Sequence, residues 1–219
     1  MSIFPKIQGS ILDYDIIVVG HLRFNRYYGE TGDPPPRGDP STCTSTLIRG
    51  LDFDGNPYAL LIDPTLRWTA ENYYFALNRR TGLRPHQVTH CFSTHAHSDH
   101  VDGFAYFPNA KWLTAEPTLP ELHSYEKMDC SSVRGVKGEF LPGVYCVPLP
   151  GHTMTLHGVA FLFAGKKFLV AGDSLMSKHH FRHETCEFEK DVDIAAQTIR
   201  DIKESFDLVI PGHDNIEVV

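Results

Sequence analysis

Four short apolar runs in this sequence, each typical of a β-strand, are closely followed by a histidine or an aspartate. The runs and the residues after them are Val88–Phe92 before His95–His100, Val144–Pro148 before His152, Phe168–Ala171 before Asp173, and Leu208–Ile210 before His213. One such residue after a strand is most often a turn residue, but four repeats of the pattern favour a shared site. We therefore expect a sheet whose strand ends bring these side chains together along one edge.

The densest of these segments is residues 93–103, which read STHAHSDHVDG. It contains three histidines and an aspartate within six residues, His95 to His100. Imidazole suits zinc and similar metals, and a carboxylate can bridge two ions. The segment therefore predicts a metal site.

Composition limits the class of protein and its partners. The 219 residues, 42% of them hydrophobic and 21% charged, predict a soluble globular protein with a single domain over 1–219. The net charge of −7 disfavours a nucleic-acid partner. The sequence has no stretch typical of a signal peptide or a membrane span, and its five cysteines form no C-x-x-C pair. We expect a cytoplasmic protein without a membrane partner; a homodimer is only a general expectation.

Other segments predict how strands and helices alternate. A hairpin is predicted from Ser45–Leu51 and Tyr58–Ile62. The segment Gln87–Ser93 is typical of the strand that precedes the histidines. Trp68–Arg80 is typical of a helix that stops at Gly82. The spacing of the apolar residues between Glu189 and Phe206 is typical of an amphipathic helix. The order predicts an α+β fold with mixed sheets covered by helices.

The histidine-rich segment and four others together closely resemble the metallo-β-lactamase-fold superfamily, in particular its glyoxalase II-like H-x-H-x-D-H core. The other four are Leu61-Ile62-Asp63, Pro150-Gly151-His152-Thr153, Ala171-Gly172-Asp173-Ser174 and Pro211-Gly212-His213. The resemblance covers most of the chain. It implies a four-layer αββα sandwich of two mixed sheets flanked by helices, with metal ions at the mouth between the sheets.

The resemblance also implies a role for each of these residues. His95, His97 and His152 would hold the first metal, and Asp99, His100 and His213 the second, with Asp173 bridging the two. Asp63 would brace the site from a strand end, although Asp63-Pro64 is also typical of a turn. Two Zn²⁺ ions per chain are expected, and His and Asp ligands also accept iron or manganese.

This ligand set favours hydrolysis. A hydroxide bridging two metal ions would attack a small ester, thioester, lactone or amide substrate. Asp99 and Asp173 are the catalytic candidates, and we expect Asp99 also to carry a proton. The sequence contains no G-x-S-x-G motif for a serine nucleophile.

Two other functions use the same motif. One is a phosphodiesterase or nuclease acting on RNA or another phosphodiester, which the acidic charge disfavours. The other is a mononuclear iron persulfide dioxygenase, which needs the first ligand set alone. Glyoxalase II-like enzymes carry a C-terminal helical region that binds glutathione, and this sequence ends six residues after His213, so we do not expect hydroxyacylglutathione as substrate.

Two segments are candidates for the substrate pocket. Tyr27 and Tyr28 lie in the turn-rich stretch 24–42, where they could cap an apolar substrate. His179, His180 and His183 lie in the stretch 174–189 that follows Asp173, and one of them could contact an anionic group of the substrate.

Overall fold

Two mixed six-stranded sheets form the centre of the described part of the molecule. The computed structural model describes residues 4–9, 11–22, 42–65, 69–184 and 190–219. The strands of the first sheet, in spatial order, are β1 (Asp13–Val18), β2 (Ser45–Leu51), β3 (Pro57–Ile62), β4 (His90–Ser93), β5 (Lys111–Ala115) and β6 (Arg134–Val136). Strands β1 to β3 pair antiparallel, and β3 to β6 pair parallel.

In the second sheet, as in the first, neighbouring strands are consecutive in the sequence. Its strands, in spatial order, are β7 (Gly138–Leu141), β8 (Val144–Pro148), β9 (His157–Phe163), β10 (Lys166–Gly172), β11 (Leu208–Pro211) and β12 (Glu217–Val218). Only the β10–β11 pair is parallel. Strands β8, β10 and β11 therefore run in one direction, and their carboxyl ends meet at one edge.

Helices cover the outer faces of both sheets. They are α1 (Ala70–Thr81), α2 (Ser98–Val101), α3 (Leu119–His123), α4 (Lys178–His183) and α5 (Val192–Ser205). Short 3₁₀ turns lie at Pro85–Gln87, Asp102–Tyr106, Glu116–Thr118 and Asp173–Leu175. The predicted αββα fold class is confirmed.

Three buried clusters explain the layering. The central cluster contains Leu60 and Ile62 of β3 together with Phe161 and Val170 of the second sheet, so the two sheets pack on each other. Leu61 of β3 points the opposite way, into a cluster with Tyr73 and Leu77 of α1. The third cluster joins the second sheet to α4 and α5. Strand β3 is apolar throughout its buried part because both of its faces are covered.

Local signals fix the ends of the long helices. The side chain of Thr69 accepts a hydrogen bond from the Asn72 amide at the start of α1, and Gly82 ends the helix with a left-handed φ of 74°. The predicted stop at Gly82 is therefore correct. Residues 66–68, where the predicted helix begins, lie outside the described part. In α5, Asp191 caps the Ile194 amide.

Two boundaries differ from the predicted ones. The strand predicted from Gln87 begins at His90, because Pro85–Gln87 forms a 3₁₀ turn in which the Gln87 side chain accepts from the Arg84 amide. The amphipathic helix begins at Val192, whose side chain is 54% exposed rather than part of the buried face.

Among the described residues, no helix has the length and apolar character needed to cross a lipid bilayer.

Gly103, the last residue of the histidine-rich segment, permits a close backbone approach. A Cβ at this position would overlap the backbone carbonyl of Pro64, the residue after Asp63. We expect Gly103→Ala to lower the free energy of unfolding by at least about 2 kcal/mol, because a backbone atom cannot move aside easily.

The measurement is urea unfolding followed by circular dichroism. Gly135→Ala is the control, since its Cβ would meet its nearest atom, Glu116 Cα, at 3.1 Å. Equal losses for the two variants would contradict the steric explanation.

Candidate metal centre

The predicted site residues converge where the two sheets meet, as the resemblance implied, rather than along the edge of one sheet, as the strand ends alone predicted. The segment His95–His100 follows β4 in the first sheet, whereas His152, Asp173 and His213 follow β8, β10 and β11 in the second. A backbone hydrogen bond from the His157 amide to the Thr94 carbonyl, at 3.1 Å, links the two sheets beside the site. The site is therefore built from both halves of the fold.

Seven side chains form two groups at this seam. The first group is His95, His97, His152 and Asp173, and the second group is Asp99, His100 and His213. Within each group one nitrogen or oxygen atom per residue lies within 4.8 Å of the others. Such spacing is compatible with one metal ion per group. All seven were predicted from the sequence as metal ligands, and the structure brings all seven together.

Asp173 lies between the groups. Its Oδ1 is 3.1 Å from His100 Nε2 and 3.2 Å from His213 Nε2, both in the second group. Its Oδ2 is 3.5 Å from His152 Nε2 and 3.8 Å from His95 Nε2, in the first group, and 3.3 Å from His213 Nε2. Oδ1 thus contacts histidines of the second group, whereas Oδ2 lies within 3.8 Å of histidines of both groups.

Close polar contacts of the outer ring nitrogens orient three of the histidines. His213 Nδ1 donates to the Thr42 carbonyl at 2.9 Å, and His100 Nδ1 lies 2.9 Å from Asp63 Oδ2. Thr94 Oγ1 lies 3.1 Å from His95 Nδ1. With Nδ1 engaged, each ring directs Nε2 toward Asp173, as metal-binding histidines commonly do.

Asp63 supports the centre from the end of β3. Its carboxylate accepts hydrogen bonds from the Thr94 amide at 2.8 Å and the Thr94 hydroxyl at 2.9 Å, in addition to the contact with His100. Its backbone has a φ of 49°, which is rare for a residue other than glycine. The surrounding contacts hold this strained conformation, as is common at functional sites.

Burial and charge set the protonation of the centre. Burial lowers the pKa of His95 well below its usual range and also lowers the pKa of His152, so both imidazoles are neutral, the form that binds metal. Burial opposes charge on His100, yet Asp173 raises the His100 pKa well above its usual range. Burial likewise opposes charge on Asp173, but His213 and His100 hold its pKa well below the usual range.

The centre fits metal ions better than it fits a sealed polar core. His95 Nε2 is buried and has no hydrogen-bond partner among the described residues. A buried polar atom without a partner costs free energy, and a bound cation removes that cost. The donors are imidazole nitrogens and carboxylate oxygens, which suit zinc, iron and manganese.

Sequence reasoning missed two contributors to the centre. One is Thr94, which hydrogen-bonds Asp63 and contacts His95. The other is the segment 42–44, which contacts His213 and Asp99 of the second group from outside. Thr94 lies inside the histidine-rich segment, which was a usable signal, but no pattern in the sequence marks residues 42–44.

The residues predicted to line a substrate pocket lie either on α4 or outside the described residues. His179, His180 and His183 lie on α4, outside both groups. His180 is buried and its Nδ1 lies 2.9 Å from the Ser177 hydroxyl, so it contacts the protein interior rather than an open pocket. The rings of His179 and His183 are 4.3 Å apart between centroids. Tyr27 and Tyr28 lie outside the described residues.

The family comparison agrees with the sequence motif. A model of the metallo-beta-lactamase superfamily matches residues 38–127, which include the histidine-rich segment. The chain is 27% identical over 199 residues to metallo-beta-lactamase domain-containing protein 1 of Xenopus laevis, covering 88% of this chain and 78% of that protein. The predicted resemblance to the superfamily is confirmed.

Solved structures show the same fold. A protein from Thermotoga maritima, described as a metallo-beta-lactamase, superposes with a TM-score of 0.71 at 19% identity, covering 94% of this chain and 99% of that one. A quorum-quenching N-acyl homoserine lactone lactonase superposes with a TM-score of 0.66 at 17% identity, covering 94% and 93%. A dizinc quorum-quenching lactonase gives a TM-score of 0.65 at 15% identity, covering 80% and 75%. The chain has the metallo-β-lactamase fold.

Asp63→Asn should weaken metal binding. The carboxamide offers one acceptor in place of two, and an NH₂ group facing His100 Nδ1 disfavours the tautomer that leaves Nε2 free. We expect metal affinity to fall about 10- to 100-fold, the usual cost of losing such a partner. Competition with a chromophoric chelator measures it.

The control is Asp207→Asn, an exposed carboxylate at the opposite end of β11 from His213. An Asp63→Asn protein that binds metal as tightly as this control would show that Asp63 does not orient His100.

Proposed function

We propose that this protein is a metal-dependent hydrolase with two metal ions, held by the first and second groups. The observation that carries the proposal is the position of the Asp173 carboxylate, whose oxygens contact histidines of both groups. Asp173 would be a ligand to both ions. The other six residues complete the two sets of ligands, and Asp63 orients His100.

We infer that the ions are zinc and that the substrate is a small carbonyl compound: a lactone, ester, thioester or amide. The imidazole-rich donor set supports zinc. Lactonases share the fold, one of them with two zinc ions, and this favours lactones as the first compounds to test. When bound, the two ions supply Lewis acidity and lower the pKa of a water molecule at the centre.

The protein's own residues supply charge and proton transfer. Asp173 is 5% exposed and its negative charge offsets part of the charge of the ions, whereas the Asp99 side chain is 24% exposed. Asp99 Oδ2 lies 3.5 Å from His213 Nε2, at the open side of the centre. Asp99 is therefore the carboxylate that can exchange a proton with substrate at Oδ2, whereas Asp173 is enclosed.

A substrate panel tests the proposed activity. The protein is stripped with a chelator, reconstituted with zinc, iron or manganese, and assayed with lactone, thioester, ester, amide, phosphodiester and persulfide substrates. We expect the zinc form to hydrolyse a carbonyl substrate. Turnover of a phosphodiester alone, or oxygen consumption with persulfide by the iron form alone, would replace the proposed function with one of those two activities.

Asp99→Asn should lose turnover while it keeps its fold. An amide cannot carry the proton, so we expect kcat to fall at least about 100-fold, within the range for loss of an acid–base group. The metal content of the variant is measured alongside. A variant that keeps both ions and full turnover would rule out proton transfer by Asp99.

A further inference from the structure

Three consecutive residues, Thr42, Cys43 and Thr44, connect the parts of the second group that come from different sheets. On one side they bind the loop that carries His213. The Thr42 carbonyl accepts from His213 Nδ1 at 2.9 Å, the Thr44 amide donates to the Gly212 carbonyl at 2.6 Å, and the Thr44 hydroxyl donates to the Asp214 carbonyl at 2.8 Å. The His213 loop is thus tied to this segment at three consecutive residues.

Cys43 contacts the residues of the first sheet on the other side of the second group. Its Sγ lies 2.9 Å from the Asp99 carbonyl and 3.1 Å from the Asp63 carbonyl, and the side chain is fully buried. Asp99 belongs to the second group, and Asp63 contacts His100 of that group. The Cys43 thiol therefore lies against the backbone of both segments that position Asp99 and His100, the residues of the second group that follow the first sheet.

The geometry links these contacts to the spacing of the second group. Asp99 and His100 follow β4, whereas His213 follows β11, so no single strand fixes their separation. Consecutive Cα atoms are held about 3.8 Å apart by the trans peptide. A segment that binds both sides within three residues therefore sets the distance across the seam.

We propose that Cys43 is a positioning residue for the second metal ion, an inference that rests on the two-metal function proposed above. Its S–H hydrogen is shared between the carbonyls of Asp63 and Asp99, and this holds Asp99 and His100 at the correct distance from His213. Without the donor, two buried carbonyls lose a partner and the segments separate. The described structure shows no hydrogen bond between Cys43 and a residue of the first group, so we expect the affinity for the first ion to stay the same.

Variants at position 43 separate hydrogen bonding from volume. Cys43→Val fills the space without a donor, Cys43→Ala removes both, and Cys43→Ser keeps a donor. Cys91→Val is the matched control, because Cys91 is also fully buried, lies on β4, and has no described side-chain hydrogen bond. If Cys43 acts by packing alone, valine should preserve binding of the second ion. If Cys43 acts by positioning through its hydrogen bond, serine should preserve it.

The experiment is a Co²⁺ titration of the chelator-stripped full chain, read by visible absorption, which gives the dissociation constant of each ion. In Cys43→Val and Cys43→Ala we expect the second ion to bind about 10- to 100-fold more weakly, with the first ion unchanged. Cys43→Ser and Cys91→Val should bind both ions nearly as the parent protein does. If valine prevents folding, the difference between alanine and serine decides.

Two results would overturn the proposal. One is tight binding of the second ion by Cys43→Val or Cys43→Ala. The other is equal weakening of both ions in every variant, Cys91→Val included, which would indicate general destabilisation. A parent protein that binds a single Co²⁺ ion would instead overturn the two-metal function itself, and with it the role of Cys43, so the two failures are distinguishable.

Discussion

The buried carboxylate of Asp173, surrounded by histidines from both sheets, is the interaction on which the centre depends. An isolated buried charge is costly, and here it is compensated by His100 and His213, whose contacts lower the pKa of the carboxyl. The same histidines are turned inward, His100 by its ion-pair contact with Asp63 and His213 by its hydrogen bond to the Thr42 carbonyl. A cation between these groups satisfies all of them at once.

The two-sheet fold explains why such a centre can form. Both sheets pack on a shared apolar core, so the strands that lead into the site have little freedom to move. The carboxyl ends of β4 on one side and of β8, β10 and β11 on the other bring short loops to a single seam. The rigid part of the fold thus holds Asp99 and His213, which are 114 positions apart in the sequence, at a distance of 3.5 Å between Oδ2 and Nε2.

Local patterns predicted much of the fold, and the larger failures concern residues that are far apart in the sequence. Strand periodicity, the Gly82 stop and the H-x-H-x-D-H segment each depend on neighbouring residues. The two-sheet architecture and the grouping of the ligands came from the resemblance; strand ends alone suggested one sheet edge. Residues 42–44 could not be found, because their contact with His213 spans 171 positions and leaves no spacing pattern. Val192 fits the apolar spacing of α5 but is 54% exposed. Periodicity alone does not show where a helix face stops being covered.

The most direct test of the two-metal centre is crystallographic. Crystals of the zinc-reconstituted protein, measured on both sides of the zinc absorption edge, give an anomalous difference map that locates each ion. We expect two peaks, one contacting His95, His97 and His152, the other contacting Asp99, His100 and His213, with Asp173 contacting both. A single peak, or a second peak that Asp173 does not contact, would contradict it.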